Sequence, residues 1–90
     1  MKSQVTPAFR QSLRALPKDV RRQVRAAYRQ FKRDPYHASL QFKPVNRHKT
    51  LYSVRIGKHY RALGVRVGEY VIVWEWIGSH ADYDNLLKRG

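Results

Sequence analysis

The chain contains no cysteine, so neither a disulfide nor a thiolate metal site can brace its interior, and a reducing compartment is compatible with its chemistry. Acidic residues are scarce as well, with 6 Asp and Glu against 19 Lys and Arg among 90 residues, a formal charge of +13. No apolar run approaches the roughly 18 residues of a membrane-spanning helix. The segment Met1 to Val5 is too short and polar to open a secretory signal. A soluble, cytoplasmic protein with no membrane partner is therefore expected. Glycine and proline, 5 and 4 in number, do not gather into a linker, and no repeat or low-complexity stretch divides the chain. Residues 1–90 read as a single domain.

What is present suffices to fold. Hydrophobic residues make up 42% and aromatics 12% of the chain, which argues against disorder in spite of the charge. A chain this short buries only roughly 60 to 65% of its unfolded surface. Repulsion among unbalanced cations works against the compact state. An acidic partner, either a nucleic acid or an acidic protein segment, relieves it.

Local patterns predict the elements. Lys2 to Val5 suits a short strand, and Thr6-Pro7 suits an N-cap followed by proline in the first helical turn. Phe9, Leu13 and Leu16 then share one helical stripe, which Pro17 ends. A second helix starts near Lys18-Asp19, with Val20, Val24, Ala27, Tyr28 and Phe31 on its apolar side and Arg21, Arg22, Arg25, Arg29, Lys32 and Arg33 on the other. Asp34-Pro35 closes it. Beyond Pro35 the spacing changes to alternation. Leu40, Phe42 and Val45 suggest a strand, and Pro44 with Asn46 to Lys49 suggests a loop. Tyr52, Val54 and Ile56 alternate with Leu51, Ser53 and Arg55, which places Arg55 on a polar sheet face. Gly57-Lys58 supplies a turn into a strand from Tyr60 to Val67. Gly68-Glu69 supplies a two-residue turn into a near-continuous apolar strand from Tyr70 to Ile77. Asp82 to Lys88, with Leu86 and Leu87, forms a short helical tail. The fold class is α+β: an N-terminal helical hairpin on a small, mainly antiparallel twisted sheet, with a short C-terminal helix.

Several segments carry a resemblance. The paired helices followed by a meander, together with Leu51 to Ile56, Tyr60-Arg61-Ala62-Leu63 and Trp76-Ile77-Gly78-Ser79-His80-Ala81-Asp82-Tyr83, resemble the RelE/ParE superfamily of bacterial toxins over nearly the whole chain. That resemblance implies a protein made with a tight-binding antitoxin in a type II toxin-antitoxin system. RelE-like members of the superfamily enter the ribosomal decoding site and cleave messenger RNA without a metal, whereas ParE-like members inhibit DNA gyrase. The RelE-like reading is a metal-independent, ribosome-dependent endoribonuclease that needs no cofactor. Its partners are an acidic antitoxin and mRNA on the ribosome, with contacts to ribosomal RNA. The alternatives are a noncatalytic gyrase inhibitor and a degenerate member that only binds its partner or RNA.

Metal-free RNA cleavage needs a base for the 2′-hydroxyl proton, cations for the charged phosphorane and an acid for the departing 5′-oxygen. Arg61 matches the superfamily's phosphate-clamping arginine, and its guanidinium is suited to paired hydrogen bonds with nonbridging oxygens. Arg55 matches a basic strand position and shares that task. His80 follows the last strand where the superfamily carries a basic or imidazole group, and histidine exchanges protons near neutral pH. Tyr83 supplies a C-terminal aromatic for stacking on a base or bonding to phosphate. The plainer readings are a solvated sheet face for the arginines, a helix cap for His80 and tail packing for Tyr83. Ser53 departs from the RelE pattern, where a lysine often stands, so a two-lysine proton relay does not carry over.

Arg25 and Arg29 on the basic helix face, and Arg47, His48, Lys49, Lys58 and His59 in two loops, complete the expected RNA-binding set. His48 and His59 are also reserve acids or bases, while His37 suits a capping role. The histidine positions lack the spacing of a zinc site. Trp74 and Trp76 lie on the most apolar strand and suit core packing or an antitoxin-facing groove better than base stacking.

Overall fold

The computed structural model describes residues 1–45 and 49–89. Strand β1 (Lys2–Val5) leads into helix α1 (Pro7–Arg14) and helix α2 (Lys18–Arg33). A 3₁₀ turn (Ala38–Leu40) and a two-residue strand β2 (Lys43–Pro44) follow. Strands β3 (Leu51–Ile56), β4 (Tyr60–Val67) and β5 (Val71–Ser79) then precede helix α3 (His80–Arg89). The sheet order is β1-β5-β4-β3-β2. Only β1, parallel to β5, breaks the antiparallel pattern. Among the described residues no helix is long and apolar enough to cross a membrane.

Local chemistry explains the boundaries. The Thr6 hydroxyl accepts a hydrogen bond from the Phe9 N–H at 3.1 Å and caps α1. Pro17 separates the two helices because it lacks the N–H that a continuing helix would use. The apolar sides of both helices and β3 to β5 enclose Phe9, Phe31, Val54, Ile56, Ala62, Ile72 and Trp74. Phe31 meets Phe42 and Trp74 edge-on, at ring centroid distances of 5.1 and 5.5 Å, a geometry that the ring quadrupoles favour.

Four expectations are corrected. The strand expected over Leu40 to Val45 is a 3₁₀ turn ending at Leu40 plus the short β2. Pro44, assigned to a loop, pairs with Tyr52, and a proline is tolerated there because β2 is an edge strand. The turn after β4 holds residues 68–70 rather than two, so β5 begins at Val71 and ends at Ser79. The tail helix begins at His80, two residues early, because the Ser79 hydroxyl accepts from the Asp82 N–H at 3.1 Å and supplies the cap.

A bulge in β5 gives the second sheet face its character. Leu63 pairs with Trp76 and Gly64 with Trp74, which leaves Glu75 as the extra residue. Without it the two tryptophans, two apart, would point the same way. With it Trp74 enters the core beneath the helices, while Trp76 joins Val45, Leu63 and Tyr83 on the opposite face under α3. Glycine permits both placements: a Cβ on Gly64 would stand 2.7 Å from the Trp74 ring, and one on Gly78 2.6 Å from the Trp76 ring.

Candidate functional site

The sheet face beneath α3 carries the candidate residues at one end. Arg55 and Arg61 are direct cross-strand partners in the β3–β4 register. They therefore share a face, with Cβ atoms about 5 Å apart. Gly78 of β5 is the next residue across from Arg61, and α3 starts two residues later. The main-chain N–H of His80 donates to the His59 carbonyl at 2.6 Å, which ties the start of α3 to the β3–β4 turn. Arg61 and His80 thus both adjoin Tyr83, with Arg55 opposite Arg61 and Lys58 and His59 in the adjoining turn.

Like charges opposite each other on a sheet cost stability, and no acidic side chain is paired with either arginine among the described residues. The Arg55 Nε donates to the Gly57 carbonyl at 2.9 Å. Arg61 donates through Nη2 to the Gln41 Oε1 at 3.1 Å, and its guanidinium lies over the Tyr83 ring at 5.4 Å. Its Nε and Nη1 are buried with no partner among the described residues. Buried donors left unpaired are costly. Arg66 provides the contrast. It gives three hydrogen bonds, to the Tyr36 and Tyr52 hydroxyls and the Glu69 carbonyl. The Tyr52 and Tyr36 hydrogen bonds raise its already high pKa. Arg66 has a buried Nε without a partner among the described residues too, but spends both terminal nitrogens on the protein, whereas Arg61 spends one.

His80 lies in the first turn of α3, and Ser79 rather than His80 caps the helix. Its Nδ1 stands 3.1 Å from the Asp84 Oδ2, one helical turn on, with both side chains about half exposed. That contact favours the neutral-ring tautomer with its proton on Nδ1, in which Nε2 is the acceptor. Tyr83 is only 8% exposed. Its ring packs against Trp76 at 6.4 Å and beneath Arg61. It supports the arginine from within the packed face, in keeping with the tail-packing reading.

Other expected residues lie elsewhere. Arg25 and Arg29 are exposed on α2, on the opposite side of the sheet. Arg25 joins Lys18, Arg21 and Arg22 around a cleft of about 440 Å³. Lys49 is exposed just before β3, roughly 20 Å along the strand from Arg55 at 3.3 Å per residue. Arg47 and His48 lie outside the described residues. His37 accepts from the Ser39 N–H at 3.2 Å and caps the 3₁₀ turn, as its capping role required. Among the described residues no three His, Asp or Glu side chains group around a possible metal position.

The sequence reading missed three members of this face. Gln41 holds Arg61 from a segment without helical or strand periodicity. Asp84 was legible, because it stands four residues after His80 on a helix. Lys43 is in register with buried Ser53, so a lysine enters that lane from β2 instead of β3.

A helical hairpin on one sheet face and α3 on the other make an α+β fold. The sequence model for the ParE-like toxin domain matches residues 18–85, and the chain belongs to that family. Solved structures agree on the fold. A RelB-RelE antitoxin-toxin complex from Methanococcus jannaschii superposes with a TM-score of 0.71 at 14% identity, covering 92% of this chain and 96% of that one. YafQ from E. coli gives 0.69 at 10% identity, covering 91% and 96%. The isolated E. coli RelE toxin gives 0.67 at 16% identity, covering 98% and 96%. A search of curated protein sequences returned no significant match.

Proposed function

We propose that the protein is the toxin of a type II toxin-antitoxin pair and cleaves messenger RNA on the ribosome without a metal ion. The observation that carries this reading is Arg61, whose dehydrated and unpartnered Nε and Nη1 stand beside a second, directly opposed arginine. A phosphate that draws the Arg61 guanidinium out toward it would satisfy those donors and end the repulsion. Donors already stripped of water stabilise developing charge with little reorganisation.

In this mechanism the 2′-oxygen attacks the adjacent phosphorus as His80, through Nε2, takes the hydroxyl proton. Arg61 and Arg55 hold the nonbridging oxygens of the phosphorane. The bond to the 5′-oxygen then breaks and that oxygen gains a proton, leaving a 2′,3′-cyclic phosphate and a 5′-hydroxyl. His59, whose carbonyl accepts from the His80 N–H, supplies an imidazole for the second transfer. Tyr83 holds Arg61 from below. Arg25, Arg29 and their neighbours on α2 contact phosphate backbone away from the scissile bond, with Arg47, His48, Lys49 and Lys58 adding loop contacts.

The partner is an acidic antitoxin. A groove of about 640 Å³ opens between the helices and the sheet, lined by Phe9, Leu13, Val24, Tyr28 and Ile56 and bordered by Arg10 and Arg25. An acidic amphipathic segment matches both its apolar floor and its cationic rim. RelE appears with RelB in the complexes from Methanococcus jannaschii and Pyrococcus horikoshii. The site of action is cytoplasmic.

In vitro translation with purified protein tests the proposal. Ribosome-bound message should be cut, and Arg61→Ala should abolish cutting. Uncut message at toxin amounts that arrest growth would overturn it. The match to a ParE-like domain favours a second reading, noncatalytic inhibition of gyrase. Toxicity retained in His80→Ala together with double-strand DNA breaks would establish that reading, and loss of all toxicity without an antitoxin would mark a degenerate binder.

A further inference from the structure

We infer that Gln41 is a positioning residue for the cleavage reaction, holding Arg61 at the angle from which it meets the scissile phosphate; the inference rests on the ribonuclease reading above. Three observations carry it. Gln41 has φ 47° and ψ 45°, and among the described residues no other non-glycine has positive φ. It caps the 3₁₀ turn, donating its N–H to the Ala38 carbonyl at 3.3 Å, a position where glycine or asparagine avoids the Cβ penalty. A glutamine there gains nothing for the turn itself.

The second observation is what its side chain does. The Gln41 Oε1 accepts from the Arg61 Nη2 at 3.1 Å, across 20 residues of sequence. This is the one side-chain hydrogen bond of Arg61 among the described residues. The acceptor is neutral. An Asp or Glu there would neutralise Arg61 and compete with the phosphate, whereas an amide fixes one nitrogen and leaves the positive charge for the substrate.

The third observation is how firmly Gln41 is placed. Its neighbours Leu40 and Phe42 are both buried in the core beneath α2, so the backbone between them has little freedom to relax. Strained conformations persist where the surroundings over-determine them, and they gather at functional sites. Tyr83 below and Gln41 beside Arg61 thus fix its guanidinium from two directions.

Gln41→Gly separates a role in the turn from a role in the reaction. Glycine relieves the positive φ and so offsets much of the lost hydrogen bond, and this variant should melt within a few degrees of the parent while losing the hold on Arg61. Its kcat on ribosome-bound message should fall about tenfold or more, with KM changed less than about threefold. Gln41→Glu should fall further, because the new carboxylate occupies Arg61. Gln41→Asn, which tolerates left-handed backbone and keeps an amide, should recover part of the rate. Unchanged or raised kcat in Gln41→Gly, with the parent active, would overturn the positioning role. An inactive parent would instead overturn the ribonuclease reading.

Discussion

Replacing Arg61 by methionine should make the protein more stable and less active at once. The substitution keeps a long flexible side chain over Tyr83, where sulfur–aromatic contact returns about 0.3–1.5 kcal/mol. It removes two buried donors that find no partner among the described residues, each costing about 1–3 kcal/mol. It also ends the like-charge opposition with Arg55, worth a few tenths to about 1 kcal/mol. Against this stand the hydrogen bond to Gln41, about 1.5–3 kcal/mol for a charged donor, and the cation–π contact with Tyr83, about 0.5–2 kcal/mol. The balance favours Arg61→Met by about 1 kcal/mol. A domain of this size then melts about 4–8 °C higher. Message cleavage should fall about 10²–10³-fold, as when a single transition-state donor is removed. Urea unfolding and primer extension on ribosome-bound message read the two effects separately. Destabilisation beyond about 1 kcal/mol would refute the reasoning, because it would make Arg61 a structural tie like Arg66.

Three further outcomes follow from the same geometry. Asp84→Asn should lower kcat at least about tenfold by freeing the His80 tautomer. Because the pair is half exposed, the unfolding free energy should move by no more than about 0.5 kcal/mol. Gly64→Ala places a methyl 2.7 Å from the Trp74 ring and 2.9 Å from Ile72, an overpacking that should cost about 1–3 kcal/mol in denaturant titration. Removing Arg21, Arg25 and Arg29 together should weaken RNA binding and reduce the log–log salt slope by about 2–3. An unchanged slope would show that α2 does not meet the backbone.

Much of the fold was legible because the signals are local. Thr6-Pro7 and Pro17 bracket α1, the spacing from Val20 to Phe31 marks α2, and alternation at Tyr52, Val54 and Ile56 fixes the faces of β3. What stayed hidden depends on contacts distant in sequence. Nothing in Lys2 to Val5 announces parallel pairing with β5, and Glu75 does not look like an extra residue until Leu63 and Gly64 are seen opposite its neighbours. Leu40 and Phe42 have the spacing of a strand and are both buried, but a left-handed Gln41 lies between them. The site was half legible for the same reason. Arg55, Arg61 and His80 stood out by residue type and resemblance. Gln41 and Lys43 join them only through the placement of β2 beside β3.

Mapping the ends of ribosome-bound message after exposure to the parent protein or Arg61→Met tests the paired-arginine mechanism most directly. The parent should leave 2′,3′-cyclic phosphate ends, while the folded Arg61→Met leaves the message whole. Equal cutting by both proteins, or intact message with the parent under conditions where it stops translation, would contradict it.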